Sequence, residues 1–322
     1  MNPSGITFSS PATIEDARRI LAATSPPIDS PTQNLNLAEA TLDRVFQRGS
    51  RRPEWVWVAR DQAGDTRGVV AGWGGTDFPA PRILDLVATS PDDADLGRQL
   101  LTHAVEQSAA LGTSDIEIIQ FAPAKDPLDD PGVIATRALI ESCGYRMLVQ
   151  RFRYELDVAT TRPVIPPTSL RFEQATGVED PRLKRIMAEL LVGSLDAHDL
   201  AALEGHDLES VATETIDEYV ELDPIESFFL AIDEANVVVG LVIGGLRGSA
   251  DRGVASFIGV SHLHRGRGYA GQLLGFITAR IIAEGASLII GETDLGNFPM
   301  AKAFTLVGYP QTESRIDFVS VK

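Results

Sequence analysis

Shifted against itself by 173 residues, the sequence aligns a 33-residue stretch of its two halves without a gap, and this internal repeat restricts the fold more than any other feature. Val87 falls on Val260, Gln99-Leu100-Leu101 on Gln272-Leu273-Leu274, and Ala110, Gly112, Ser114 and Ile116 on Ala283, Gly285, Ser287 and Ile289. Eight identities in 33 positions are weak as a count, yet they keep every periodic element in phase. Further on, with an insertion, Cys143-Gly144-Tyr145 matches Val307-Gly308-Tyr309. Each half opens with a turn-to-helix segment (residues 11–23 and 180–191) and continues into an apolar hairpin. The hairpins pair residues 54–59 with 67–73, and 228–232 with 237–242. Between the halves, Thr161-Arg162-Pro163-Val164-Ile165-Pro166-Pro167 reads as an extended, proline-stiffened linker. At 322 residues the chain is long for one core. The expected architecture is α/β, an α+β arrangement with a mixed sheet in each of two tandem domains: residues 1–160, a linker at 161–167, and residues 168–322.

The second half carries the most specific local pattern, His264-Arg265-Gly266-Arg267-Gly268-Tyr269-Ala270-Gly271-Gln272-Leu273-Leu274. A strand-like segment from Ser256 to Val260 enters it. A helical pattern of Leu273, Leu274, Ile277 and Ile281 leaves it and stops at Gly285. A glycine-spaced turn there leaves backbone N–H groups free at the helix N-terminus. With the helix dipole and two arginines, these donors make a cradle for phosphate oxygens. The Arg-x-x-Gly-x-Ala spacing is neither the Gly-x-Gly-x-x-Gly of dinucleotide folds nor the Gly-x4-Gly-Lys of a P-loop. The bland alternative is a plain Gly-rich turn.

At these residues the chain resembles the GNAT N-acetyltransferases, whose acetyl-CoA pyrophosphate loop reads Gln/Arg-x-x-Gly-x-Gly/Ala. Arg265, Gly268 and Ala270 stand on the three defining positions. The apolar run Leu288-Ile289-Ile290-Gly291-Glu292, then Asn297 and the Val307-Gly308-Tyr309 ending, follow in the family's order across residues 168–322. The resemblance implies a twisted, mostly antiparallel central sheet flanked by helices in each copy. It also implies an acetyl-CoA site built from Ile258, Gly259, Val260, Arg265, Gly266, Arg267, Gly268, Tyr269, Ala270, Asn297 and Phe304, with no metal. The tandem layout with one degenerate copy is similar to that of the mycothiol synthases, but their Tyr-bearing ending is absent, so no substrate is carried over.

Under the 173-residue shift, Arg265-Gly266-Arg267-Gly268 lies over Asp92-Asp93-Ala94-Asp95, and Glu292 over Ile119. Carboxylates repel a pyrophosphate, and the loss of glycine crowds its approach. The first copy is therefore expected to be structural: to pack on the second, shape a substrate cleft, or form a homodimer.

Acyl transfer from a thioester to an amine needs a bound acyl-CoA, a neutral nucleophile, a donor for the developing oxyanion and a path for protons. The Val260 N–H is the candidate oxyanion donor. Glu292, interrupting an apolar strand, is the candidate general base, with Asp294 as second choice. A strand-end carboxylate paired with an arginine is the competing reading of Glu292, and helix capping the competing reading of Asn297. Phe304 occupies the place where relatives carry a Tyr acid. Either the thiolate leaves unprotonated, or Ser261, Thr305 or water serves, or the domain is not a catalyst. His262 and His264 read as alternate residues at a strand end, structural or near the cofactor.

A net charge of −17 argues against nucleic-acid phosphate as a partner and favours a cationic one. The region from Asp196 to Asp223 holds ten carboxylates with His198 and His206 but no Lys or Arg, and reads as a lid over a cationic small-molecule amine or as a solvated helix face. The lone Cys143 excludes an internal disulfide. No 18-residue apolar run and no signal pattern are seen, so a cytoplasmic protein without membrane contact is expected. The leading expectation is acetyl-CoA-dependent N-acetylation of a small amine. A non-catalytic acyl-CoA-binding scaffold and a protein or peptide N-acetyltransferase remain as alternatives.

Overall fold

The computed structural model describes residues 5–76, 78–113, 115–247 and 251–321. The first half runs β1 (Thr7–Ser9), α1 (Ile14–Ala22), α2 (Pro31–Leu37), α3 (Glu39–Arg48), β2 (Val56–Arg60), β3 (Thr66–Trp73) and β4 (Ile83–Thr89). It continues through α4 (Ala94–Leu111), β5 (Glu117–Pro123), α5 (Pro131–Ser142) and β6 (Tyr145–Asp157). The second half repeats the scheme with β7 (Arg171–Gln174), α6 (Pro181–Leu191), α7 (Ala197–Ala202), α8 (Leu208–Leu222), β8 (Phe228–Ile232) and β9 (Val238–Leu246). Then come β10 (Arg252–Val260), α9 (Tyr269–Ala283), β11 (Leu288–Asp294), α10 (Phe298–Val307) and β12 (Gln311–Ser320).

Packing divides the chain into two units, but not at the expected linker. One unit is Met1–Gln150 with Glu313–Lys322, and the other is Arg151–Thr312. Each unit thus takes its last strand from the other half of the sequence. In the first, the order is β1-β2-β3-β4-β5-β12; in the second it is β7-β8-β9-β10-β11-β6. Every neighbouring pair within a unit is antiparallel except β4/β5 and β10/β11. Those two pairs are parallel because the helices α4 and α9 carry the chain back across the sheet between them. Segment 161–167 is not a free linker. The Val164 N–H donates to Val307 O at 2.8 Å, and Pro166 lies where a Cβ on Gly275 would come within 2.6 Å of its ring.

Helices cover both faces of each sheet. In the first unit, α1 and α3 supply Ala17, Leu21, Leu42 and Phe46 to one face, and α4 and α5 supply Leu100, Leu101, Val133 and Ile140 to the other. In the second, α6 and α8 bring Leu183, Met187, Val211 and Ile216 against Leu230 and Leu241, while α9 and α10 bring Leu273, Ile277, Ala303 and Val307 against Val242 and Ile289. Each such buried Val, Leu, Ile, Phe or Met side chain contributes about 1.5–3 kcal/mol.

The gapless alignment conceals a compensation. Four residues separate β4 from α4 and eight separate β10 from α9, while α4 has 18 residues and α9 has 15. The first copy has a shortened loop and a longer helix, so the two alterations nearly cancel in sequence.

Candidate active site

Strands β10 and β11 are in register only from Arg252↔Leu288 to Ala255↔Gly291. Beyond a bulge between Ala255 and Phe257, β10 continues to pair with β9 alone, up to Val260↔Gly240. The edge of Ile258, Gly259 and Val260 that faces away from β9 is thereby left open. The Ser261 N–H donates to Val239 O on β9 at 2.9 Å, so by strand alternation the Val260 N–H points to the open side. Leu190 of α6 closes over Gly259, where a Cβ would come within 2.6 Å of it.

The chain then turns through His262–His264 as a 3₁₀ turn, so the two histidines sit on a helical turn rather than alternating at a strand end. Gly266 and Gly268 follow in the left-handed region, at φ +81° and +75°, and a Cβ on either would meet open space. Gly268 is the N-cap of α9 and provides no side-chain cap, so the first-turn N–H groups of Tyr269, Ala270 and Gly271 lack that partner. Left-handed glycines, an uncapped 15-residue helix and the exposed Arg267 supply the backbone donors and positive charge that a pyrophosphate requires. Arg265 is turned onto backbone instead: its Nε donates to Val260 O at 3.2 Å and its Nη1 to Gly193 O at 2.9 Å.

Gly193 begins a strap that crosses from the end of β10 to the end of β11. At its far end the Ala197 N–H donates to Asp294 Oδ2 at 2.7 Å. Arg151 of β6 ties this junction. Its Nη2 lies 2.6 Å from Asp196 Oδ2 and 3.0 Å from His198 Nδ1, and its Nε lies 2.9 Å from Asp294 Oδ1 as an ion pair without an aligned hydrogen bond. Two residues along the same strand face, Arg153 Nη1 lies 2.6 Å from Glu292 Oε1 and its Nη2 lies 3.0 Å from Glu155 Oε1. The register Glu292↔Arg153 and Asp294↔Arg151 produces these pairs directly.

The strap carboxylates are driven apart electrically. Burial alone would lift Asp196, but hydrogen bonding from His198 and the charge of Arg151 outweigh it and hold this carboxyl well below the usual range. Asp199 goes the other way. Burial, then the charge of Asp196, push it up to about 6, against the hydrogen bond from Ser194 Oγ at 2.5 Å. Burial also raises Asp294, opposed by the charge of Arg151. Burial together with the charges of Asp196 and Asp199 pushes the Tyr219 phenol far up.

The acetyltransferase (GNAT) family model matches residues 195–309. That segment, about a third of the chain, resembles the GNAT family. The chain is similar over 99% of its length, at 16% identity and a TM-score of 0.61, to a GCN5-related N-acetyltransferase from Sphaerobacter thermophilus, of which it covers 96%. A tandem GNAT protein from the clavulanic acid biosynthesis pathway matches at 15% identity and TM-score 0.57, with 98% of each chain covered. A glucosamine N-acetyltransferase region of a fungal multi-domain β-N-acetylglucosaminidase matches at 18% identity and TM-score 0.63; the chain is 99% covered and spans 38% of that protein. At these identities the likeness is one of fold. None of the curated proteins matches the sequence.

The first GNAT-like copy differs from the second at each element of the cradle. Helix α4 is capped by a carboxylate, with Asp93 Oδ1 accepting from the Leu96 N–H at 3.2 Å, and Asp95 stands in its first turn. Strands β4 and β5 are in register only at Ile83↔Glu117 and Leu84↔Ile118 before they part. The parting is filled from within: Ile28 is buried among Val87, Ile118, Ala122 and Ile140, and Pro27 O lies 2.5 Å from the position of a Cβ on Gly132. Glu313 of β12 pins this plug, accepting from Ser30 Oγ at 2.5 Å, from the Thr32 N–H at 3.1 Å, and from the Thr32 hydroxyl.

Other sequence expectations fall as follows in the GNAT domain. Asn297 Oδ1 caps α10 through the Met300 N–H at 3.2 Å. Phe304 does not line the cleft. It is 1% exposed, stacked on Tyr154 at 4.3 Å and 8° and edge-on to Tyr309, with its ring against Gly291. Ser261 is fully buried, and the Thr305 hydroxyl donates to Ala301 O at 3.1 Å. The acidic lid is not a uniform surface. Asp196 and Asp207 cap α7 and α8, and Asp223 is buried against Arg247. Glu209, Glu214, Asp217, Glu218 and Glu221 are exposed along α8. Arg151 and Arg153 lie outside the sequence expectations; their only local signal is the alternation Arg151-x-Arg153-x-Glu155, in the span 1–160 expected to belong to the other copy.

Proposed function

We propose that the protein is an acetyl-CoA-dependent N-acetyltransferase whose one working site lies in the unit of Arg151–Thr312, and that its acceptor is the amine of a small cationic molecule. The observation that carries this is the joining of two features on one strand: β10 parts from β11 beyond Ala255, leaving Gly259 and Val260 on an open edge, then leads through two left-handed glycines into an uncapped helix. The first supplies an open backbone edge and the second an anion cradle.

Acetyl-CoA brings an activated thioester; the residues of the chain bind, orient and move protons around it. The N–H groups of Tyr269 and Ala270, with Arg267, hold the pyrophosphate, and Arg265 is released from Gly193 O to join them. The Val260 N–H donates to the oxygen on which charge develops. Proton removal from the acceptor ammonium is assigned to Asp199 in preference to Glu292. Protonating Glu292 would cost Arg153 one of its two carboxylate partners, whereas Asp199 is pushed up to about 6, where a general base is effective near neutral pH. Glu292, fixed by Arg153, then orients the acceptor, and the unprotonated carboxylates of the strap attract its positive charge.

The experiment is a panel of polyamines, amino sugars, amino acids and peptides, followed by release of free CoA. Turnover should be greatest with a small cationic amine, and its KM should rise with ionic strength. A neutral or acidic best acceptor would remove the cationic part of the reading. Binding of acetyl-CoA without turnover on any amine would select the scaffold reading instead.

A further inference from the structure

The first unit holds a cavity of about 480 Å³, within the range of small-molecule sites, on the α1 side of its sheet. Its floor is apolar and buried: Ile20, Val69 and Ala88. Its rim carries Arg19, Arg60 and Arg67, and no carboxylate is among its lining residues. The chain has 45 acidic and 28 basic residues, so a concavity lined by three cations alone runs against its overall charge.

The surroundings support an anion rather than merely tolerating one. Arg60 Nη1 is oriented by neutral oxygens, Gly64 O at 3.0 Å and Thr66 Oγ1 at 3.2 Å. Arg19 shares its charge with Asp16 at 3.0 Å and Arg67 with Asp61 at 3.5 Å, both carboxylates lying outside the lining. The hydrogen bond from Arg19, then that from Thr13, hold the Asp16 carboxyl below its ordinary range, and the charges of Arg19 and Arg60 both add to this, so the two fields overlap. The C-terminal end of α1 would oppose an anion through its dipole. Its last-turn carbonyls are already occupied: Arg19 O by the Ala23 N–H, Leu21 O by the Thr24 N–H, and Ile20 O by Thr24 Oγ1.

From this we infer that the first copy binds a small organic anion, a carboxylate or phosphate on an apolar body, with the head between Arg60, Arg67 and Arg19 and the body on Ile20, Val69 and Ala88. This site borders the plug of Ile28 at Pro27 and the end of β4 at Thr89, and does not depend on the reaction proposed for the second unit.

Calorimetric titration with phenyl phosphate tests it, on a Gly268→Asp variant whose phosphate cradle is closed. Saturable binding is expected, at least about tenfold weaker in the Arg60→Gln/Arg67→Gln double variant and weakened by added salt. Benzyl alcohol, with a similar ring and no charge, should not saturate. Arg19→Gln, at an exposed position, should weaken binding on its own and guards against misfolding of the double variant. No saturable binding of phenyl phosphate, equal binding of benzyl alcohol, or affinity unchanged in both arginine variants would overturn the proposal.

Discussion

Arg153 Nη1 lies 2.6 Å from Glu292 Oε1, a consequence of the direct β6–β11 register between the two residues. This places the expected base in an ion pair, and under the proposed function it orients the acceptor. Glu292→Gln should therefore reduce kcat/KM by about tenfold, equivalent to about 1.4 kcal/mol, chiefly through the acceptor KM. The acid limb of the pH–rate profile should stay in place. Loss of that limb would return proton transfer to Glu292.

Asp199→Asn should lower kcat by roughly 10²–10⁴, the range for a lost general base. The limb near pH 6, set by the carboxyl that burial and Asp196 push up to about 6, should vanish with it. The same shift has a stability consequence with a definite sign. The folded-state value is raised above the ordinary 3.8, so the contribution of Asp199 is complete below about pH 3.8 and lost as pH rises through 6. Relative to wild type, the Asn variant should gain thermal stability as pH rises from about 4 to 6, read as a Tm difference that grows over that interval and levels off above it.

Phe304→Tyr should not create a working acid. The ring is enclosed by Tyr154, Tyr309 and Gly291, so an added hydroxyl without a partner costs about 1–3 kcal/mol. Phe304→Ala should cost about 3–5 kcal/mol by leaving a cavity. Denaturant unfolding measures both, and a faster enzyme from Phe304→Tyr would show that the ring reaches the cleft.

Glu313→Ala should release the plug of the first copy, since the carboxylate that holds Ser30 and Thr32 is 1% exposed. Removing it strands two hydroxyls and an N–H, and a loss of about 3 kcal/mol or more is expected from such a buried network. Hydrogen exchange should show faster opening of residues 26–33 in particular.

Local pattern made much of this legible. The hairpins at β2/β3 and β8/β9, the helix heads at Asp180 and Asn297, and the Gly144 and Gly308 endings are all set by periodicity and by residues that act within one turn. The origin of the last strand in each unit was not. Strands 145–157 and 311–320 each close one half of the sequence, and nothing local says which sheet each completes. Arg151 and Arg153 were missed for that reason, although they decide the electrostatics around Glu292 and Asp294. The shortened loop before α4 was hidden by the lengthened helix after it. Ile28 follows two prolines and looks like loop, yet it fills the cleft of the first copy.

The central claim is a single acetyl-CoA site in the unit of Arg151–Thr312, and calorimetric titration of acetyl-CoA into the whole protein tests it most directly. The account predicts a stoichiometry of about one per chain in wild type and no detectable binding in Gly268→Asp, where a side chain enters the left-handed N-cap of α9 and its carboxylate meets the pyrophosphate. Two sites of similar affinity, or binding that survives in Gly268→Asp, would contradict it.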